Sequence, residues 1–211
     1  MTDVPVIHMF PCLWDNYGFL IHDPKTGQTA TVDTPDGKEI AKQCAEKGWT
    51  LTEIWNTHHH PDHVGGNGIL EEKYDIKIVG PENDKARIPG LTDGVIHGGT
   101  FDFAGYEVQV FETPGHTTGH IIYYIPGLKS AFVGDTLFVM GCGRLFEGTP
   151  SEMYDSLAII AGLPDDTKLY CAHEYTLSNG KFALTVEPDN ADLKAYIKDC
   201  LLYTSPSPRD A

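Results

Sequence analysis

Four potential metal ligands lie within six positions of the stretch THHHPDHVGG, namely His58, His60, Asp62 and His63. In an extended backbone, side chains two residues apart point to the same face, so the first three of these can converge while His59 points away. His63 breaks the alternation, and Pro61 disfavours helix at the residue before it, so the chain must turn near Pro61. We expect this stretch to bind metal; the alternative is a polar loop of solvated histidines.

Three further candidate ligands follow apolar, strand-like runs: His116 in TPGHTTGH, Asp135 in FVGD and His173 in AHEYT. Loops at the ends of sheet strands are held by the sheet and can converge on one site. Together with the first four, they would be too many for one tetrahedral zinc and enough for two ions that share a carboxylate. Taken singly, each has an ordinary explanation as a hydrogen-bonded histidine or a turn cap.

The other histidines lack this context, and we expect them on the surface or hydrogen-bonded: His8, His22, His59, His97 and His120. Of these, His120 follows the TPGHTTG stretch most closely. We therefore expect it to hold a loop or a ligand in place.

The elements that must position these loops alternate between short strands and helices. Strand patterns are expected at residues 6–10, 17–21, 29–32, 51–56, 76–79, 101–103, 107–111, 121–125, 131–133 and 168–171. Helical spacing predicts helices at residues 37–47, ended by Gly48, at about 66–74, and at 151–163 with Ser151 as cap. A last helix would be capped by Asn190, and residues 81–90 form a polar loop. This alternation predicts an α/β fold.

Composition narrows the class of protein. A chain of 211 residues with 41% hydrophobic content can bury one substantial core. The formal net charge of −15 argues against nucleic acid, which needs a basic face. Five scattered cysteines without a CxxC pair indicate reduced thiols in a cytoplasmic protein. No stretch approaches the roughly 20 apolar residues of a membrane span, so no membrane association is expected.

Five motifs in this order and spacing, THHHPDHVGG, TPGHTTGH, FVGDTLF, GCGRLFEGTP and AHEYT, resemble the metallo-β-lactamase superfamily. Within it, GCGRLFEGT and HEYT are similar to glyoxalase II, the hydroxyacylglutathione hydrolases, and separate it from lactamases, lactonases and persulfide dioxygenases. The resemblance covers Val6 to Asp189. It implies an αββα sandwich, in which two sheets face each other with helices outside.

The resemblance also implies roles for individual residues. One metal would be held by His58, His60 and His116, the other by Asp62, His63 and His173, with Asp135 bridging. It implies two divalent ions per chain, zinc first, with iron or manganese as alternatives that ligand type cannot separate. Glutathione would be contacted by Arg144 and Tyr175, with the backbone near Cys142 and Gly143 close by. As alternatives, Arg144 would be a surface arginine and Tyr175 a core residue.

The reaction that the resemblance implies is hydrolysis of S-(2-hydroxyacyl)glutathione, such as lactoylglutathione, a step of methylglyoxal detoxification. A metal-bridging hydroxide would attack the thioester, since a metal lowers the pKa of bound water from 15.7 to about 7, and Asp62 could orient it. The alternatives are a lactonase or persulfide dioxygenase with the same metal ligands, or a metal-binding protein with little catalysis. A monomer acting on this small substrate in the cytoplasm is expected.

For the domain organisation, the resemblance implies a catalytic domain at residues 1–178. Residues 179–202 would begin a C-terminal helical segment that is truncated relative to the family. Residues 203–211, reading YTSPSPRDA, lack periodicity and are rich in proline and polar residues. We expect this tail to be disordered, as a non-native extension would be.

Overall fold

The structure, a computed structural model, describes residues 4–203, and side chains as far as Cys200. The first sheet has the order β1-β2-β3-β4-β5-β6. Its strands are β1 (Val6–Cys12), β2 (Asn16–His22), β3 (Thr29–Val32), β4 (Glu53–Trp55), β5 (Lys77–Pro81) and β6 (Asp93–Val95). The first three pair antiparallel and the rest pair parallel.

The second sheet has five strands, in the order β13-β10-β9-β8-β7. These follow one another as β7 (Thr100–Phe103), β8 (Tyr106–Glu112), β9 (Ile121–Ile125), β10 (Ser130–Gly134) and, after the short hairpin β11 (Leu137–Phe138) and β12 (Gly141–Cys142), β13 (Lys168–Cys171). The helices are α1 (Gly37–Lys47), α2 (Pro61–Val64), α3 (Asn67–Lys73), α4 (Pro150–Ala161), α5 (Thr176–Val186) and α6 (Ala191–Tyr203).

Alternation along the strands divides the core into three layers. Trp55 of β4 and Tyr123 of β9 belong to the cluster between the two sheets, whereas the adjacent Ile54 packs on the outer face with α1 and α3. Ile122 of β9 packs outward in the cluster that includes Ile160 of α4. Because successive side chains in a strand point to opposite faces, both sheets are covered on both sides. The predicted αββα sandwich is confirmed.

Strand ends bring the predicted ligand loops to one end of the sandwich. Val32 of β3 is paired with Trp55 of β4, so the two chains leave the sheet side by side. In the second sheet, Gly134 of β10 is paired with Cys171 of the parallel strand β13. Residues that follow paired parallel strands lie at the same edge, and the loops after β3, β4, β10 and β13 therefore meet.

Two helix boundaries were predicted correctly and one was wrong. Gly48 ends α1 in a left-handed conformation with φ 70°, and the Asn190 side chain accepts from the Leu193 N–H at 2.9 Å before α6. The cap of α4 is Thr149, not Ser151. Thr149 forms a reciprocal capping box with Glu152, and proline occupies the first turn, where its missing N–H is no loss.

Other elements differ from the expected pattern. Part of the predicted loop at residues 81–90 is a 3₁₀ turn, Glu82–Asp84, whose last residue is buried. Helix α5 was not predicted from spacing. It packs closely on α6, as the position of Gly180 shows: a Cβ there would lie only 2.9 Å from the Ile197 side chain. Of the tail predicted to be disordered at residues 203–211, Tyr203 instead ends α6, and residues 204–211 lie outside the described residues. Among residues 4–203, no helix combines the length and apolar character needed to cross a bilayer.

Candidate metal centre

All seven predicted ligands meet at this end of the sandwich. Their potential ligand atoms form three overlapping groups, each within 4.8 Å: His58, His60 and His116; Asp62, His63 and His173; and His58, His63 and Asp135. We call the first two groups the first and the second ligand group. The division between them matches the one implied by the family resemblance.

The turn at Pro61 separates the two groups. His60 is extended, with φ −61° and ψ 147°, and Pro61 begins the one-turn helix α2. Asp62 and His63 therefore lie on a helix and point to a different place from His58 and His60. The predicted turn is confirmed. His59 points away from His58 and His60, as predicted, and its Nδ1 lies 2.9 Å from the Asp84 carboxylate.

Distances within the groups are those expected around a cation. His60 Nδ1 lies 3.0 Å from both His58 Nε2 and His116 Nε2. In the second group, His173 Nε2 lies 3.4 Å from His63 Nε2 and from Asp62 Oδ2. Metal–nitrogen distances of 2.0–2.1 Å in a tetrahedral site place neighbouring ligands about 3.3–3.4 Å apart. The observed separations lie close to this value.

Asp135 stands between the groups. Its Oδ2 lies 3.3 Å from His116 Nε2, and its Oδ1 lies 3.3 Å from His173 Nε2 and 3.4 Å from His63 Nε2. Although Oδ1 is buried, it has no hydrogen-bond partner among the described residues. A buried carboxylate oxygen without a partner is costly unless something else satisfies it. The donor set and this oxygen therefore fit divalent cations.

The far nitrogen of most of the ligand histidines is held by another group. His63 Nδ1 lies 2.8 Å from Asp33 Oδ2, His173 Nδ1 lies 3.1 Å from Asp15 Oδ1, and His116 Nδ1 donates to the Arg144 carbonyl at 2.8 Å. Such contacts fix the ring and the tautomer, so that the nitrogen facing the cluster has its lone pair free.

Asp33 is the most connected of these supporting residues. Its carboxylate accepts from the Thr57 N–H at 2.7 Å and from the Thr57 hydroxyl at 2.8 Å. The same hydroxyl lies 3.0 Å from His58 Nδ1. One buried carboxylate thus supports His63 directly and His58 through Thr57.

The sequence interpretation missed both supporting carboxylates. Asp33 directly follows the apolar strand β3, just as Asp135 follows β10, so the pattern that identified Asp135 could also have found it. Asp15 lies in the turn between β1 and β2 and carries no comparable signal. The prediction for His120 is confirmed: it is buried, and its Nε2 accepts from the Asp135 N–H at 3.0 Å. Burial lowers its pKa to about 3, which keeps it neutral.

The two groups differ in charge. Burial, and then the neighbouring His63, hold the pKa of His58 well below its usual value, so His58 is neutral. Burial also opposes protonation of His63, but Asp135 and Asp33 outweigh it and raise the pKa of His63. Burial opposes ionisation of Asp135, yet His63 and His173 lower its pKa to about 2. The second group therefore lies among more carboxylates than the first, since it contains Asp62 and its histidines contact Asp33 and Asp15.

The cluster forms the floor of an open cleft of about 1090 Å³. The four predicted substrate-binding residues, Arg144, Tyr175, Cys142 and Gly143, are among those that line it. Tyr175 stacks on His173 with ring centroids 5.0 Å apart, so it is a wall of the cleft and not a core residue. A Cβ on Gly143 would lie 2.0 Å from the Asp135 carbonyl oxygen, so only glycine permits this close approach.

An αββα sandwich with clustered histidines and aspartates at one end defines a metalloprotein of the metallo-β-lactamase type. The sequence model of the metallo-beta-lactamase superfamily matches residues 26–173, and that of the hydroxyacylglutathione hydrolase C-terminus matches residues 174–204. The crystal structure of ETHE1 from Myxococcus xanthus is similar, with a TM-score of 0.72, 32% identity, and coverage of 81% of this chain and 76% of that one.

Two curated relatives narrow the family. The hydroxyacylglutathione hydrolase of Maricaulis maris is 54% identical over 90% of this chain and 75% of its own length. That of Erythrobacter litoralis is 51% identical, covering 92% of this chain and 76% of its own. The chain belongs to the hydroxyacylglutathione hydrolase family, glyoxalase II, within the metallo-β-lactamase superfamily. The family predicted from the sequence motifs is confirmed.

Proposed function

We propose that this protein hydrolyses S-(2-hydroxyacyl)glutathione thioesters, such as lactoylglutathione, to glutathione and a 2-hydroxy acid. The observation that carries the proposal is the convergence of seven potential ligands, five of which line a cleft. Membership of a family whose relatives are named hydroxyacylglutathione hydrolase supports the substrate class.

In this proposal, the two ligand groups would hold one divalent ion each, and Asp135 would contribute to both sites. Zinc is the first candidate, and iron and manganese are alternatives because they accept similar ligands. When bound, such ions polarise a carbonyl and lower the pKa of bound water from 15.7 to about 7. The ionised Asp135 and the neutral His58 supply the charge and the free lone pairs that the ions require.

Asp62 is placed to orient the attacking water. Its side chain is 40% exposed and lines the cleft, and Asn16 Nδ2 donates to its Oδ2 at 3.1 Å. Burial opposes its ionisation, but contacts with His63 lower the pKa of Asp62 below its usual range. An ionised, fixed carboxylate at the cleft surface can accept a hydrogen bond from water and so orient the water toward the thioester.

Arg144 and Tyr175 are proposed to bind the glutathione part. The planar guanidinium of arginine suits a carboxylate, of which glutathione has two. Burial, and then the charge of Asp15, raise the pKa of Tyr175 to about 12, so its hydroxyl stays protonated and can donate a hydrogen bond. The chain has a net charge of −15, which repels an anionic substrate, and the positive charge of Arg144 in the cleft offsets this repulsion locally.

Other expectations stay predictions: a monomer, a cytoplasmic location, and the division between a catalytic domain and a C-terminal helical segment at residue 178. None of them enters the proposed reaction.

The proposal is tested with three substrates offered to the metal-loaded protein. Rapid release of glutathione from lactoylglutathione, with little opening of lactones and no oxygen uptake with glutathione persulfide, is expected. Preferential lactone opening or oxygen consumption would contradict the proposal in favour of a related activity. Binding of two ions without turnover of any substrate would contradict the catalytic claim while leaving the metal centre intact.

A further inference from the structure

A polar cluster lies next to the first ligand group, and none of its members is among the residues that line the cleft. It is centred on Asp84 and Arg87, and its other members are His59, Thr118 and Glu147. We call these five residues the Asp84–Arg87 clamp. Asp84 lies in the stretch that the sequence predicts as a polar loop, and it is fully buried.

Asp84 is pressed against two ligand loops. Its Oδ2 lies 2.9 Å from His59 Nδ1, and its Oδ1 accepts from Arg87 Nε at 3.1 Å and from Nη2 of the same guanidinium. A Cβ on Gly119 would lie 2.1 Å from Asp84 Oδ1, so the carboxylate packs directly on the backbone of the loop that carries His116. A buried carboxylate persists only with such partners.

Arg87 extends the contacts to a third loop. Its Nη1 donates to Glu147 Oε1 at 2.6 Å and its Nη2 to the Thr118 hydroxyl at 3.3 Å. Glu147 Oε2 accepts from the Thr118 N–H at 2.8 Å and from its hydroxyl at 2.9 Å. Partial burial opposes ionisation of Glu147, but the bonds from Thr118 and Arg87 lower its pKa to about 2.

These contacts join the three loops on which the first ligand group depends. His59 lies between His58 and His60 in the chain, and Thr118 follows His116 closely. Glu147 belongs to the stretch whose Arg144 carbonyl accepts from His116 Nδ1. The second group has its supports elsewhere, since His63 is held by Asp33 and His173 by Asp15.

We propose that Asp84 and Arg87 are positioning residues that hold the first ligand group in place for one metal ion. They do not position the second group. This inference rests on the proposed metal centre. Residues that orient metal ligands typically change metal affinity about 10- to 100-fold when replaced. Loss of the clamp should therefore weaken one ion selectively by about 10- to 100-fold.

The experiment measures zinc affinity by competition with a chromophoric chelator in two backgrounds of the full chain. His173→Ala disables the second group and leaves the first, whereas His116→Ala disables the first and leaves the second. Arg87→Lys keeps the positive charge but loses the planar fork that joins the three loops. We expect Arg87→Lys to weaken zinc binding about 10- to 100-fold in the His173→Ala background and not in the His116→Ala background.

Lys85→Gln is the matched control, because Lys85 lies in the same segment and its side chain forms an exposed ion pair with Glu82, at 3.8 Å. It should change neither affinity. Glu147→Gln, at a partly exposed position, is a second variant that leaves the buried Asp84 carboxylate in place. It should also weaken zinc binding in the His173→Ala background and not in the His116→Ala background. Circular dichroism verifies that each variant folds.

Equal weakening in both backgrounds, or no weakening in the His173→Ala background, would overturn the inference. Its failure is distinguishable from failure of the metal centre. If the unsubstituted chain binds no zinc, the proposed centre itself is refuted. If that chain binds two ions and Arg87→Lys binds both equally well, only the clamp is refuted.

Discussion

Replacing Asp33 by asparagine tests how far the buried carboxylate behind the cluster controls metal binding. Asp33 is 4% exposed, and both of its oxygens accept hydrogen bonds, Oδ1 from the Thr57 N–H and Oδ2 from the Thr57 hydroxyl and His63. Its backbone has φ 56°, in the left-handed region. Asparagine tolerates that region about as well as aspartate, so the substitution changes the hydrogen bonds and not the fold of the turn.

The magnitude follows from two donors: the Thr57 N–H cannot accept, and His63 Nδ1 can accept only if its proton moves to Nε2, which removes the lone pair that faces the ligand cluster. The amide group of asparagine must face either the Thr57 N–H or the His63 Nδ1–H, so one donor meets another donor in either orientation. A buried polar group left without a partner costs about 1–3 kcal/mol. A loss of metal affinity of about 10- to 100-fold corresponds to about 1.4–2.8 kcal/mol at 1.4 kcal/mol per tenfold. The two figures agree.

The assay is chelator competition on the full chain, with the ion held by the second group expected to weaken most, because His63 contacts Asp33 directly. Asp23→Asn is the control. Asp23 is equally buried, but both of its bonds from Thr26 end on one oxygen, which an amide oxygen can replace. It should leave metal binding unchanged. Unaltered affinity for both ions in Asp33→Asn would refute the reasoning.

Three further outcomes are expected. The pKa of His63 is raised and that of His58 is lowered, so protons compete with metal at His63 up to a higher pH. When the metal content is measured during acidification, the ion held by the second group should therefore be released first. Loss of all metal in a single step would contradict this. Arg144→Ala should mainly raise KM for glutathione thioesters in steady-state kinetics, and an unchanged KM would rule out its proposed role. Thr149→Ala removes the capping box with Glu152. Denaturant titrations should show a free energy of unfolding lower by about 1 kcal/mol, with no loss of metal. An unchanged free energy of unfolding would argue that the capping box does not stabilise α4.

Much of the fold was predictable because alternation along the strands is a local property. Neighbours such as Ile54 and Trp55 must face opposite sides of a sheet, and both are fully buried. Where both neighbours in a strand are apolar, both faces of the sheet must therefore be covered by other elements. The cap of α4 was also within reach, since Pro150 and Glu152 flank Ser151 in the positions that a cap at Thr149 requires. Helix α5 was not, because contact with α6 stabilises it around Gly180.

The candidate ligands were visible for a similar reason, because each follows a strand and sheet geometry brings strand ends together. Their supports were harder to find. Asp84 contacts His59, which is 25 positions away in the chain, and Arg87 contacts Glu147, which is 60 positions away. Nothing in the local polar sequence around Asp84 indicates burial, which depends on loops that fold onto it from both sheets.

A crystal structure of the zinc-loaded protein, with anomalous scattering recorded across the zinc edge, tests the metal centre most directly. We expect two anomalous peaks, one surrounded by His58, His60 and His116 and the other by Asp62, His63 and His173, with Asp135 between them. A single peak, or peaks away from these side chains, would contradict it.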